Sequence, residues 1–185
     1  MTLQLSNEDR RVLCAIAREA IASELEARSP AYPPMTPGCM QVAGAFVTLN
    51  IEGELRGCIG TMVGRAALGE TVKTMAKEAA FGDPRFEPLR KDELDLIEIE
   101  ITVLGPMKPI ASHAEIQIGV HGVYFTYHGR SSVFLPQVAL EWGWDVPTLL
   151  ENLCRKAGVA PNAWKSPDTE LYIFEGLVFS EKDFQ

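Results

Sequence analysis

Gly44-Ala45-Phe46-Val47-Thr48-Leu49-Asn50-Ile51-Glu52-Gly53-Glu54-Leu55-Arg56-Gly57-Cys58-Ile59-Gly60 is the stretch on which the fold turns. Ala45, Val47, Leu49 and Ile51 alternate with Phe46, Thr48 and Asn50, the period-two pattern of a strand with one face inward. Glu52-Gly53 reads as a tight turn, and the chain returns over Glu54 to Ile59 as the second arm of a β-hairpin. Gly60 and Gly64 break the pattern.

Working outward from the hairpin, helices and strands mix without a regular βαβ alternation. Upstream, Ser6 and Asp9 form a capping-box pattern that opens a helix. Val12, Leu13, Ile16, Ala20, Ile21 and Leu25 give that helix one apolar stripe, and Pro30 is expected to end it. The stretch from Ser29 to Gly38 carries four prolines and reads as an extended connection. Downstream, Leu68, Val72, Met75, Ala76 and Ala79 mark a second helix that stops at Gly82. Leu96 to Leu104 alternates isoleucines and valine with Glu98, Glu100 and Thr102, so it is a strand whose glutamates are expected on a solvated face. Val120 to Tyr127 and Ser131 to Leu135 form a second hairpin around His128-Gly129. Pro136 to Trp144 is a helical turn, Pro147 opens a helix closed by Gly158, and Leu171 to Phe179 is the last strand. The pattern predicts an α+β fold with a mainly antiparallel sheet and packed helices.

Composition bounds the function. The 185 residues make one domain of residues 1–185, large enough for a real core and for a smaller lobe within it. No apolar run is long enough for a membrane span, and the acidic N-terminus lacks the order of a signal peptide, which places the chain in the cytoplasm. The net charge of -8 and the lack of a basic cluster argue against DNA binding. Cys14, Cys39, Cys58 and Cys154 include no C-x-x-C pair, and the three histidines match no metal spacing. Free thiols, no metal and no cofactor are expected.

The local feature with most chemistry is Arg56 and Cys58 among glycines. In an extended strand, residues two apart share a face, so Arg56 and Cys58 are expected side by side, with Leu55 and Ile59 on the core face. A guanidinium beside a thiol favours the thiolate and lowers its pKa, making Cys58 a candidate nucleophile and Arg56 a candidate anion binder. Gly57 and Gly60 would let a ligand or another backbone approach closely. His121 is a candidate general base, and Trp142, Trp144 and Trp164 are large aromatic surfaces that could stack a base or pack two lobes together. The plainer reading is a packed cysteine, a half-buried histidine and glycines at a bulge or tight crossing.

Leu55-Arg56-Gly57-Cys58-Ile59-Gly60-Thr61 resembles the signature of the AMMECR-one family, also called AmmeMemoRadiSam system protein A. Further resemblances follow in order: the strand Gly44 to Leu49, Asp83-Pro84-Arg85-Phe86 with Pro88-Leu89, Ile118-Gly119-Val120-His121-Gly122, Leu135-Pro136-Gln137-Val138-Ala139 with Glu141 and Trp144, and Leu153 to Gly158 with Trp164. The resemblance implies two unequal lobes with a cleft between them, and functional association with a Memo-like protein and a radical SAM protein. Two readings of function follow. One is an enzyme acting on a small molecule or nucleobase, with Cys58 as reactive thiol, Arg56, Gly57, Gly60 and Trp144 holding the substrate, and His121 or Glu141 assisting. The other is a non-catalytic module that binds a ligand or partner protein with the same residues.

Overall fold

The computed structural model describes residues 4–184. Its architecture is α+β, with four α-helices among the described residues and antiparallel strand pairing. The chain divides into two compact units, Met1–Leu104 with Leu177–Gln185, and Gly105–Gly176. Among the described residues no helix is long and apolar enough to cross a membrane.

In the first unit, α1 (Asn7–Leu25) begins with the capping box read from the sequence. The Asp9 N–H donates to Ser6 Oγ and the Ser6 N–H to Asp9 Oδ2, satisfying two helix-end donors. The buried Asp9 carboxylate also accepts from the Thr36 hydroxyl and the Gly38 N–H, which pins the proline-rich connection to the start of α1. The helix closes at Leu25, ahead of Pro30, because Ala27 turns into the left-handed region at φ 52°. Leu13, Ile16, Ala17, Ala20 and Ile21 form its buried stripe.

Strands β1 (Ala45–Ile51) and β2 (Glu54–Thr61) form the expected hairpin, with positive φ at both Glu52 and Gly53. That backbone twist matches the twist of the paired strands. β3 (Ile97–Leu104) pairs with β1 on its other side, so β1 is central and β2 is flanked on one side only. Ala45, Val47, Leu49, Ile97, Ile99, Ile101 and Val103 are buried on one face, where α1 and α2 (Leu68–Phe81) join the same core. The opposite face is less exposed than a solvated face would be: Thr102 is 1% exposed, Glu98 and Glu100 are half-buried, and Glu98 pairs with Lys182. Glu181 anchors the C-terminal segment by taking the Arg18 guanidinium and the Ile99 N–H.

In the second unit the strand order is β6-β5-β7-β4, all antiparallel. β5 (His121–Tyr127) and β6 (Arg130–Phe134) are joined by His128-Gly129, with φ 46° and 76°. β7 spans Glu170–Ser180, and its last residues pass into the first unit. The short β4 (Lys108–Ile110) has no counterpart in the sequence reading. Three residues with a central proline carry no periodicity, and Pro109 is tolerated because a short flanking strand can spare an N–H. α3 (Pro136–Glu141) is the expected helical turn. α4 (Val146–Ala157) starts on an Asp145 cap, with Pro147 in its first turn, and ends on Gly158 at φ 75°. Leu149, Leu150, Leu153, Cys154 and Ala157 form its buried face in one core with Val123, Phe125 and Ile173.

Candidate functional site

Cys58 lies in β2 with Thr48 as its register partner, and Thr48 in turn faces Glu100 on β3. The Thr48 hydroxyl donates to Cys58 Sγ at 3.2 Å. The outer edge of β2 would leave the Cys58 main chain unpaired, and two side chains from the loop after α2 take the place of a neighbouring strand. The Cys58 N–H donates to Asp83 Oδ2 at 2.9 Å, and Arg85 Nη2 donates to the Cys58 carbonyl at 3.3 Å. Asp83 and Arg85 are themselves paired twice, Nε to Oδ1 at 3.0 Å and Nη2 to Oδ2 at 2.7 Å. The Asp83 side chain is 2% exposed, whereas that of Arg85 is 55% exposed. The pairing closes a strand edge that would otherwise offer itself to another chain.

This geometry sets the charges. The Arg85 guanidinium holds the Asp83 carboxyl well below the usual carboxylate range, helped by the Cys58 and Arg85 N–H groups. Burial pushes the Cys58 thiol up, and this outweighs the Thr48 hydroxyl and the Arg85 charge, which pull it down. The expectation of a lowered thiol pKa is therefore corrected in sign.

Arg56 does not stand beside Cys58. The β1–β2 register passes from Leu49↔Gly57 to Asn50↔Leu55, so Arg56 is the extra residue of a β-bulge and strict alternation fails there. Its guanidinium pairs twice with Glu93, at 2.9 and 3.0 Å, and that contact holds the Glu93 carboxyl at about 2. Gly57 and Gly60 are close-packing positions instead of openings. A Cβ at Gly57 would collide with the Ala79 carbonyl of α2, and one at Gly60 with the Phe46 ring.

His121, Glu141 and Trp144 belong to the second unit. His121 opens β5 half-buried, and its Nδ1 accepts the Gln117 N–H at 3.1 Å. The neutral ring then carries its proton on Nε2 and offers a donor there, which does not suit a general base. Glu141 is the exposed last residue of α3. Trp144 is half-buried, edge-on to Phe134 at 5.5 Å and near-parallel to Trp142 at 6.1 Å. Trp142 is 70% exposed, so it is not an interior packing residue.

All four cysteines are free; Cys14, Cys39 and Cys154 are buried and Cys58 is half-buried. Among the described residues no group of three or more His, Cys, Asp or Glu is placed to hold a metal ion. Sequence reasoning assigned no site role to Asp83 or Arg85, which entered it as part of a motif of the resemblance. The available signal was an acid and a base two apart around a proline, a spacing that lets one residue orient the other.

Three comparisons bear on these features. The family model described as AMMECR1 matches residues 14–179. A protein of Methanothermobacter thermautotrophicus is 40% identical over 185 residues, covering 96% of this chain and 96% of its own length. Protein MK0488 of Methanopyrus kandleri is 40% identical over 190 residues, covering 97% of this chain and 92% of its own. The crystal structure of uncharacterized protein PH0010 from Pyrococcus horikoshii matches with a TM-score of 0.88 at 34% identity, over 96% of this chain and 94% of that one.

Proposed function

This chain belongs to the AMMECR1 family, and on that footing we propose that it is a non-catalytic binding module whose recognition surface is the β2 edge, with the Arg85 guanidinium and the Cys58 thiol as its contact groups. The observation that carries this reading is the setting of Cys58: its main chain is clamped by Asp83 and Arg85, and burial raises the thiol above its ordinary value. A protonated thiol is a weak donor and soft surface, not a nucleophile. The other residues suited to thiol catalysis are engaged as well. Arg56 is bound to Glu93, and His121 presents a donor.

Iodoacetamide labelling of Cys58 against pH tests the proposal. The native thiol is expected to react more slowly than the same thiol in urea between about pH 6 and 9, a range that brackets the ordinary thiol value. Faster native labelling, slowed by Arg85→Ala, would overturn the module reading and restore the enzyme that uses Cys58 as nucleophile. Association with a Memo-like protein and a radical SAM protein is part of the proposal and rests on family resemblance alone. Sedimentation of this chain mixed with each protein measures it, and independent sedimentation of the components removes that part.

A further inference from the structure

We propose that a pocket in the second unit, remote in sequence from the Cys58 segment, binds a small organic anion with a flat apolar body. The pocket has a volume of about 520 Å³, within the range of roughly 300–1,000 Å³ that small-molecule sites occupy. Its apolar part is built by sheet register: Ile110 of β4 and Leu171 of β7 are direct cross-strand partners and both line it. Trp164 forms a wall, and the His113 ring meets it edge-on at 5.2 Å and 75°. A planar ring gains from aliphatic and aromatic surface of this kind.

The polar part of the pocket is biased toward donors. In a chain of net charge -8, no aspartate or glutamate lines it. Lys165 does line it, with its ammonium 5.1 Å from the Trp164 ring centroid. Lys73, Lys77, Lys108 and Lys182 each have a carboxylate partner, whereas Lys165, like Lys91 and Lys156, has none among the described residues. Two hydroxyls at the pocket are also left as donors. Ser112 Oγ accepts the Ala114 N–H and Ser166 Oγ accepts the Asp168 N–H, each at 3.2 Å, so each hydroxyl hydrogen has an open direction. The Thr169 hydroxyl differs, because it donates to the Ala163 carbonyl at 2.6 Å. An unpaired ammonium with two hydroxyl donors complements a carboxylate, and charge-assisted hydrogen bonds are the stronger kind. The ligand class is therefore a compact ring bearing one carboxylate.

The test uses the full chain labelled with nitrogen-15, and the Trp164 indole resonance as reporter, assigned by its loss in Trp164→Phe. Benzoate, benzamide and inorganic phosphate are the probes. Benzoate is expected to shift the Trp164 resonance saturably, with a Kd of about 1 mM, an affinity within reach of a fragment-sized ligand. Benzamide lacks the charge and phosphate lacks the ring, so each is expected to bind roughly tenfold more weakly. Lys165→Gln is expected to lower benzoate affinity by roughly tenfold while leaving benzamide unchanged, and Lys165→Arg to retain it. The proposal is overturned by the absence of a saturable benzoate shift, by benzamide or phosphate matching benzoate, or by undiminished benzoate binding in Lys165→Gln.

Discussion

The β2 edge of the first unit and the Trp164 pocket of the second treat their charges in opposite ways. Around Cys58 each described guanidinium and carboxylate is engaged: Arg56 with Glu93, Arg85 with Asp83, and both members of the second pair with the Cys58 main chain. Around Trp164 the Lys165 ammonium and two hydroxyl hydrogens are unspent. A cluster of charges that satisfies itself is held in one geometry and stabilises the fold, because each group fixes its partner. A cluster with unspent donors retains capacity for a ligand. The segment richest in recognisable motif is thus a surface whose groups are fixed in place, with Arg85 still 55% exposed, and the second region is the one with free donors.

If that contrast is right, breaking the first region should cost stability and breaking the second should not. The largest effect is expected for Asp83→Ala. It removes the acceptor of the Cys58 N–H and leaves the Arg85 guanidinium without its partner. A loss of about 3 kcal/mol is expected in urea unfolding, typical of opening a pair with a buried member. A loss below about 0.5 kcal/mol, the range of ordinary surface changes, would mean that the edge is not held there.

Gly57→Ala comes next. Its Cβ would meet the Ala79 carbonyl, a backbone atom that moves only with α2, so a loss of about 2 kcal/mol is expected. Gly129 in the second unit sharpens the comparison. It has a positive φ of 76° but open space around it, so Gly129→Ala carries only backbone strain, about 1 kcal/mol. Equal losses at the two glycines would show that collision adds nothing at Gly57.

A third expectation concerns acid. Arg56 holds the Glu93 carboxyl at about 2, against about 4.3 for an unfolded glutamate. A lowered carboxylate contributes stability that is complete above the unfolded value and is lost as pH falls through the folded one. The window is therefore about pH 4.3 down to 2. Glu93→Gln should be less stable than the parent at neutral pH by about 1.5 kcal/mol, discounted for partial solvent screening. That gap should close as pH nears 2, and a constant gap from neutral to acid would assign the loss to packing. Asp83 loses its contribution on the same acid side, so the variant flattens only part of the slope.

The smallest effect is expected in the second region. Lys165→Gln should leave unfolding within about 0.5 kcal/mol of the parent, because the ammonium has no carboxylate to lose. A larger loss would mean that Lys165 is itself structural, and the contrast between the regions would fail.

The elements that could be read in the sequence are those with one buried face. The hairpin Ala45–Thr61 and the strand Ile97–Leu104 alternate because one side meets a core, and α1 and α4 repeat at helical spacing for the same reason. Their ends follow local chemistry, as at the Ser6–Asp9 capping box and Gly158. Where the ends were misjudged, backbone geometry acted without a strong residue signal: α1 stops at a left-handed Ala27, not at Pro30. Strand β4 escaped because it is three residues long and contains proline.

At the site, residue choice was legible and residue partnership was not. The segment Leu55 to Gly60 was singled out from its own composition, but the alternation rule put Arg56 beside Cys58 because a bulge is not visible in residue spacing. The partners that determine the chemistry come from elsewhere in the chain: Asp83 and Arg85 for Cys58, Glu93 for Arg56, Ala79 for Gly57. The sequence by itself determined the α+β class, the order of the helices and of every strand but β4, and the family, since these follow from periodicity, turn chemistry and motifs within short windows. Only the tertiary structure decided that the Cys58 thiol is held up by burial instead of down by a guanidinium, and that Lys165 and Trp164 share a pocket with Ile110. Burial and pairing depend on atoms brought together across tens of residues, and no window along the chain contains them.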